Sequence, residues 1–213
     1  MDKPGGNLLY AAGGGTIWLG KDETIGLVAR VGEDYPRDWL KAISEAGYNL
    51  DGVKIVPEAI DLRAFRVYSD INSFSVSDPV KHFARIEMSF PKSLLGYKNH
   101  VGELDSKSEL ISTSIRQHEL PQDYLYASAA HICPIDFLSH SLIPSALRQN
   151  GLKTITLDPG GGYMHPDFWD DLPGIVAGLT AFIPAEPEIR KLFKGKTEDL
   201  WEMAEEVGTW GCE

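Results

Sequence analysis

Apolar residues recur along the chain with two different periods, which predict strands and helices in turn. Residues 25–31 are apolar or glycine apart from one arginine, as expected for a strand that is buried on both faces. Residues 36–47 carry Trp39, Leu40 and Ile43 at helical spacing, with a proline at the start and a glycine at the end. This part of the chain is therefore predicted to form a strand, a turn and a helix.

The same alternation returns in the second half of the chain. Short apolar runs predict strands at 131–133, 154–158 and 181–183. Helical spacing predicts helices at 137–150, 168–177, 187–193 and 198–207. Strands that alternate with helices in this way are typical of an α/β protein with a mainly parallel sheet covered on both faces. Residues 70–122 are too irregular for their elements to be assigned.

Residues 61–68 alternate between apolar and polar side chains more regularly than any other segment. This pattern predicts a strand with one covered face and one open face. An open apolar face on such a strand favours pairing with another chain, and homodimerisation is expected there.

The bulk properties are those of a soluble folded protein. The chain has 213 residues, of which 43% are hydrophobic and 24% charged, and a single domain over 1–213 can bury a core. No apolar run approaches the roughly 18 residues of a membrane span, and no secretory signal is present. Two cysteines, Cys133 and Cys212, are too few for a disulfide framework, so we expect a cytoplasmic protein. A net charge of -11 argues against nucleic acid as a partner.

Three consecutive glycines at 13–15 lie where the segment after the first glycine pair should be helical. Each costs about 1 kcal/mol relative to alanine in a helix, so we interpret them as a site of close helix–sheet packing. No Lys-Ser or Lys-Thr pair follows them, which excludes a P-loop.

Three segments, in order, resemble the ribokinase-like (pfkB-type) family of carbohydrate kinases. They are Pro-Gly-Gly-Asn at 4–7, the strand and turn ending in Val-Gly-Glu-Asp at 25–34, and Ile-Pro-Ala-Glu-Pro-Glu at 183–188. Each segment is weakly specific, but their order and spacing frame nearly the whole chain. The resemblance implies a three-layer α/β/α fold with a mainly parallel sheet and a small β lid that includes about 60–70.

The resemblance also implies a function and a substrate site. Members of this family are ATP- and Mg²⁺-dependent kinases that phosphorylate a hydroxymethyl group of a sugar or nucleoside. Carried over to this chain, Gly5, Gly6, Asn7 and Tyr10 hold the small-molecule substrate, and Phe65 lies beside it in the lid. Tyr10 replaces the asparagine that the family usually has at its place, so it indicates a different subset of substrates.

The third segment implies a metal site at Glu188, which resembles the family's glutamate near magnesium and phosphate. Ala185 replaces the family's asparagine, which removes an amide from the water shell of the metal. The alternative for Glu188 is an ordinary carboxylate at a helix start. The glycine-rich turn after Asp158 likewise has two interpretations, a ligand loop beyond a strand end or a simple turn.

The family's Gly-Ala-Gly-Asp segment, its ATP-binding loops and its first strand have no counterpart in the chain. We therefore expect an incomplete fold, no catalytic residue in this chain and no turnover by it alone. A non-catalytic sugar-binding or degenerate kinase-like protein remains the alternative. A Rossmann-type nucleotide-binding protein is a third hypothesis, but neither glycine cluster has the form Gly-x-Gly-x-x-Gly.

Overall fold

A computed structural model of the protein describes residues 4–70, 73–99 and 103–212. It is an α/β structure in which most strands are parallel. In chain order the elements are α1 (Asn7–Thr16), β1 (Gly26–Gly32), α2 (Arg37–Glu45), β2 (Asn49–Val56), β3 (Val67–Asp70), β4 (Ser73–Ser75), α3 (Pro79–Arg85), β5 (Ala129–Ile132), α4 (Phe137–Gln149), β6 (Thr154–Leu157), α5 (Leu172–Val176), β7 (Ala181–Phe182), α6 (Glu186–Leu192) and α7 (Leu200–Gly208). Short 3₁₀ turns at Lys92–Leu94, Gln117–Glu119, Gln122–Tyr126 and Pro166–Phe168 connect them.

The first sheet is a parallel pair formed by β1 and β2, with α2 connecting them. This confirms the strand and helix predicted at 25–31 and 36–47. Helix α2 ends before Gly47, whose φ of 96° lies in the left-handed region that glycine enters without strain. Leu27 of β1, Ala12 of α1 and Ile43 of α2 form a small apolar core over one face of this sheet.

The second sheet has three parallel strands in the order β5-β6-β7. Helix α4 begins at Asp136, whose carboxylate accepts a hydrogen bond from the N–H of Ser139 (3.1 Å). The main core of the protein lies beside this sheet and gathers side chains from α4 to α7. Its fully buried members include Ile155, Leu157, Leu172, Leu192 and Met203.

The strand predicted at 61–68 is wrong over most of its length. Only Val67–Asp70 is a strand, paired in antiparallel with β4. Upstream, Arg63 forms an ion pair with Asp61 and donates to the carbonyl oxygens of Ser93 and Leu95 (2.7 and 2.9 Å). These side-chain bonds hold the segment against residues 93–95 and not in a sheet.

The glycines at 13–15 lie in α1, as expected, but only one of them is at a close contact. A Cβ on Gly15 would lie 3.2 Å from Cδ1 of Ile25, whereas Gly13 and Gly14 face open space. The prediction of close helix–sheet packing is therefore wrong for Gly13 and Gly14. In the described part of the chain, no helix combines the length and apolar character needed to cross a membrane.

Candidate functional site

A large cleft of about 2370 Å³ separates the two parallel sheets. It runs between β1 and β5, with residues of both strands along its walls. Tyr124, which precedes β5, packs against Gly26 at the start of β1, and its hydroxyl donates to the carbonyl oxygen of Asn49 (3.0 Å). Because this contact joins the beginnings of the two strands, their carboxyl ends share the opposite end of the cleft. Ligands of open α/β sheets bind at that end.

The start of α1 and the two residues before it contribute three of the predicted substrate residues, Gly5, Gly6 and Asn7, to the lining of the cleft. Gly6 precedes α1 with a φ of 98°, a left-handed conformation that an L side chain rarely adopts. Tyr10 is placed differently. It is 76% exposed and is not among the residues that line the cleft.

Phe65, the predicted lid residue, lines the same cleft and is only 8% exposed. Its ring centroid lies 6.2 Å from that of Phe83 and 6.4 Å from that of Tyr97. Phe65 therefore lines the same cleft as Gly5, Gly6 and Asn7, which lie about sixty residues earlier in the chain.

Asp34, for which the sequence pattern predicted no role, also lines the cleft. It lies two residues beyond β1, and its Oδ1 accepts a hydrogen bond from the N–H of Ile60 (3.0 Å). The second carboxylate oxygen has further capacity to accept a hydrogen bond from a ligand. Its position after the carboxyl end of a predicted buried strand was the signal that could have identified it.

Glu188 lies in the first turn of α6 and is not among the residues that line the cleft. Its Oε2 accepts a hydrogen bond from the N–H of Ala185 (2.9 Å), so it does act as a helix-start carboxylate. Burial raises the pKa of Glu188, and the nearby charge of Asp158 raises it further. Lys191 offsets part of this effect, and its Nζ donates to the carbonyl oxygen of Gly161 (3.0 Å).

The glycine-rich turn after β6 is fixed by neighbouring groups. Asp105 accepts a hydrogen bond from the N–H of Phe137 (2.8 Å), and its own N–H donates to the carbonyl oxygen of Gly162 (3.2 Å). A Cβ on Gly160 would collide with the carbonyl oxygen of Ile135. Burial is the main cause of the raised pKa of Asp105.

A metal at Glu188 would have few direct ligands. Within residues 4–70, 73–99 and 103–212, no group of three or more His, Cys, Asp or Glu side chains is arranged to hold a metal ion. The charge of Asp158 raises the pKa of Glu188, so the two carboxylates share one neighbourhood. These two side chains do not form a metal site by themselves, and Mg²⁺ there would be held mainly through its water shell.

Comparison with known proteins finds a similarity to a kinase. No family model matches the chain. A curated relative, the cytidine kinase of Thermococcus kodakarensis, is 26% identical over 212 residues, which cover 98% of this chain and 62% of that protein. The chain therefore spans less than two thirds of the length of this relative. The chain is therefore similar to a kinase along almost its whole length.

Proposed function

We propose that the chain forms the substrate-binding part of a ribokinase-like kinase whose acceptor is a nucleoside. The observation that carries the proposal is the cleft at the carboxyl end of β1, which Gly6, Asp34 and Phe65 all line. The similarity to a cytidine kinase along almost the whole chain supports it. Cytidine is therefore the first substrate to test, with ribose and uridine after it.

In this proposal the substrate lies between α1 and the segment at 59–67. The glycine pair lets the backbone approach the sugar, and Asn7 and Asp34 bond its hydroxyls. The ring of Phe65 packs against the base or the sugar face, as aromatic side chains do in nucleotide sites. Tyr10 contacts the substrate only if its side chain turns towards the cleft, since it is exposed beside the entrance.

ATP is the phosphoryl donor in this proposal, and Mg²⁺ with its water shell lies near Glu188 and Asp158. The metal would neutralise charge on the phosphates during transfer. We assign no catalytic residue to this chain and treat residues 1–213 as one domain. The three-layer arrangement and the lid formed with β3 and β4 belong to the same proposal.

The test is a calorimetric titration of the 213-residue chain with cytidine, with uridine and ribose as comparisons. Asp34→Asn should weaken cytidine binding about tenfold, because an amide oxygen keeps the bond to Ile60 but loses the charge. Glu33→Gln is the matched control, since Glu33 is an exposed neighbour outside the cleft lining. Equal binding by both variants, or no binding of any of the three compounds, would overturn the proposed site.

Turnover is tested in the same samples with ATP and Mg²⁺. We expect no cytidine phosphate from this chain, because no side chain within it is proposed to act as the base. Product formation that survives repurification would show that the catalytic group does lie in the chain.

A non-catalytic sugar-binding protein is the second candidate, and Ala185 favours it. This residue offers no polar side chain where the family has an amide, and Glu188 already uses one oxygen to cap α6. The two candidates differ in the catalytic segment. A gene that supplies Gly-Ala-Gly-Asp in frame downstream of these residues supports the kinase, whereas a gene that lacks it supports the binding protein.

A further inference from the structure

Three basic side chains line one part of the cleft without a bonding partner. They are Arg66, which precedes β3, and His82 and Arg85, which both lie on α3. Residues 82 and 85 are three positions apart, so they share one side of the helix. Within the part of the chain that the structure describes, none of the three side chains forms an ion pair or a hydrogen bond. We call these three side chains the basic cluster.

The two other arginines of the cleft already have partners. Arg30 forms an ion pair with Glu119, and Arg63 forms one with Asp61. The carboxylates in the described lining are Glu23, Asp34, Asp61, Asp123 and Asp136. None of them bonds to the basic cluster. The cluster therefore has unused donors in a protein whose net charge is -11, and a negatively charged ligand would complement it.

Phe65 connects the basic cluster to the proposed substrate site. Its ring centroid lies 6.1 Å from that of His82, which is half-buried. The next residue of α3, Phe83, is buried against the same ring, with centroids 6.2 Å apart. This packing holds α3 beside Phe65, so a ligand that contacts the ring of Phe65 also lies beside His82.

The guanidinium group of Arg66 is held by stacking. Its Cζ lies 5.3 Å from the ring centroid of Phe74, which is a cation–π distance. Stacking occupies the face of a guanidinium group, whereas its N–H donors point outwards in the plane of the group. The contact with Phe74 therefore orders Arg66 and leaves its donors able to bind an acceptor.

Two guanidinium groups and an imidazole are suited to a phosphate monoester. A phosphate monoester carries about −1.5 to −2 charges near pH 7 and has three strong acceptor oxygens. The paired N–H donors of arginine match its geometry. A neutral nucleoside offers no charged acceptor to these groups. The ring of Phe65 supplies the aromatic face on which a base can stack.

We propose that Arg66, His82 and Arg85 form a phosphate subsite, through which the cleft binds a nucleoside 5′-phosphate with its base against Phe65. The inference rests on the proposed function for the place of the base. A nucleoside 5′-phosphate has no free hydroxymethyl group, because its 5′ oxygen is already esterified. It therefore competes with the nucleoside and is not an acceptor, so the product class of the proposed kinase limits binding of the nucleoside.

The test compares cytidine, cytidine 5′-phosphate and ribose 5-phosphate in calorimetric titrations of the 213-residue chain. Cytidine 5′-phosphate should displace cytidine and bind at least about tenfold more tightly than cytidine or ribose 5-phosphate. Its advantage over cytidine should shrink as the salt concentration is raised, because salt screens the charges.

Variants of α3 assign the effect to the subsite. Arg85→Gln should reduce the preference for cytidine 5′-phosphate over cytidine about tenfold, and Arg85→Lys should restore part of it. Lys81→Gln is the matched control, since Lys81 is an exposed residue of α3 outside the cleft lining and its loss changes the net charge equally. This variant should keep the preference.

Inorganic phosphate alone provides a measurement that needs no nucleoside. It should shift the ring resonances of His82 in NMR spectra in a saturable way, and the shift should be lost in Arg85→Gln. Absence of any such shift in the unsubstituted chain would overturn the subsite.

The remaining outcomes separate this inference from the proposed function. Equal affinities for cytidine and cytidine 5′-phosphate overturn the subsite and leave the nucleoside site standing. Binding of cytidine 5′-phosphate through Arg85 without measurable binding of cytidine supports the subsite and counts against cytidine as the acceptor. Ribose 5-phosphate bound as tightly as cytidine 5′-phosphate would overturn the nucleotide as the ligand, because the base then contributes nothing. Equal losses in Arg85→Gln and Lys81→Gln would mean unspecific attraction and overturn the subsite.

Discussion

At the residue scale, a substitution at Phe65 can distinguish a role in ligand binding from a role in packing. Phe65→Leu keeps an apolar side chain in the aromatic cluster, so we expect the free energy of unfolding to fall by only about 1 kcal/mol. Loss of the ring should weaken cytidine binding about tenfold if the ring contacts the base. Calorimetry and urea unfolding measure the two effects.

Phe90→Leu provides the control for Phe65. Phe90 belongs to the same aromatic cluster through Phe83 (centroids 5.8 Å apart) but does not line the cleft. It should lose similar stability and keep its affinity for cytidine. If the two variants bind cytidine equally well, Phe65 is a packing residue only.

His140 gives a second residue-scale prediction, which concerns pH. Its Nε2–H donates to the carbonyl oxygen of Cys133 (3.0 Å), and its Nδ1 accepts from the hydroxyl of Tyr163, whose pKa burial keeps well above 10. Burial lowers the pKa of His140 to about 4. The imidazole therefore takes up a proton near pH 6.5 in the unfolded chain, but only near pH 4 in the folded protein.

The free energy of unfolding should accordingly fall as the pH drops through this window, by roughly 2–3 kcal/mol at pH 4.5 from this group. In His140→Gln the fall between pH 7 and pH 4.5 should be smaller by that amount. The exposed His118 supplies the control, and His118→Gln should behave as the unsubstituted protein does. Urea unfolding at the two pH values measures the difference. An unchanged pH dependence in His140→Gln would contradict the buried neutral imidazole.

At the element scale, the glycines of helix α1 lower its helix propensity, and only Gly15 has a close contact that explains its presence. Gly13→Ala should raise the free energy of unfolding by about 0.5–1 kcal/mol, since its Cβ meets open space. Gly15→Ala should gain less, because its Cβ lies 3.2 Å from Cδ1 of Ile25. Adding Ile25→Val removes that methyl group and should recover the gain. Thermal unfolding of the three proteins tests the order, and equal gains at both glycines would refute it.

The ion pair between Arg30 and Glu119 joins β1 to the 3₁₀ turn at Gln117–Glu119. Both side chains are mostly buried, with 10% and 16% exposure. Burial alone would raise the pKa of Glu119, but the hydrogen bonds and charge of Arg30 outweigh it and lower the pKa overall. Glu119→Ala should cost about 3 kcal/mol, because Arg30 then stays buried without its partner.

Two comparisons isolate this effect. The exposed pair Lys41–Glu45 has 75% and 67% exposure, so Glu45→Ala should change stability by less than about 0.5 kcal/mol. Replacing both buried partners, as Arg30→Met with Glu119→Leu, should restore most of the loss. Urea unfolding gives all four values. If the double variant is as unstable as Glu119→Ala, the ion pair itself stabilises the protein. The loss in Glu119→Ala would then not come only from leaving Arg30 buried without a partner.

Elements with a continuous apolar run and clear end signals could be predicted from the sequence. Strand β1, helix α2 and helix α4 match the expected ranges within about two residues. Strand β2 was missed because Asp51, Gly52 and Lys54 interrupt its apolar residues. The ion pair between Arg30 and Glu119 could not be predicted, because the partners are 89 residues apart and neither has a local sequence signature.

At the scale of the whole molecule, the α/β class and the parallel strands are confirmed, whereas the division into two sheets was not foreseen. The apolar run at 25–31 correctly predicted a strand covered on both faces. Periodicity does not reveal which strand lies beside which, because pairing depends on contacts distant in sequence. The cleft that Gly6, Asp34 and Phe65 all line depends on this pairing, so the residues could be suspected singly but their shared cleft could not be predicted.

The exposed face of the β3–β4 hairpin bears on association between whole molecules. Tyr68 and Phe74 pair across the two strands (centroids 5.7 Å apart) and remain 60% and 51% exposed. Burying two such exposed rings favours association. We predict a homodimer in light scattering, formed through this hairpin.

Tyr68→Lys with Phe74→Lys should convert that dimer to monomer, because both faces would then carry like charges. Trp201→Lys is the control, since Trp201 is 80% exposed on α7, away from the hairpin in sequence and element. The dimer should survive this change. A dimer lost equally with Trp201→Lys would place the interface elsewhere, and a monomer at every concentration of the unsubstituted chain would contradict the hairpin interface.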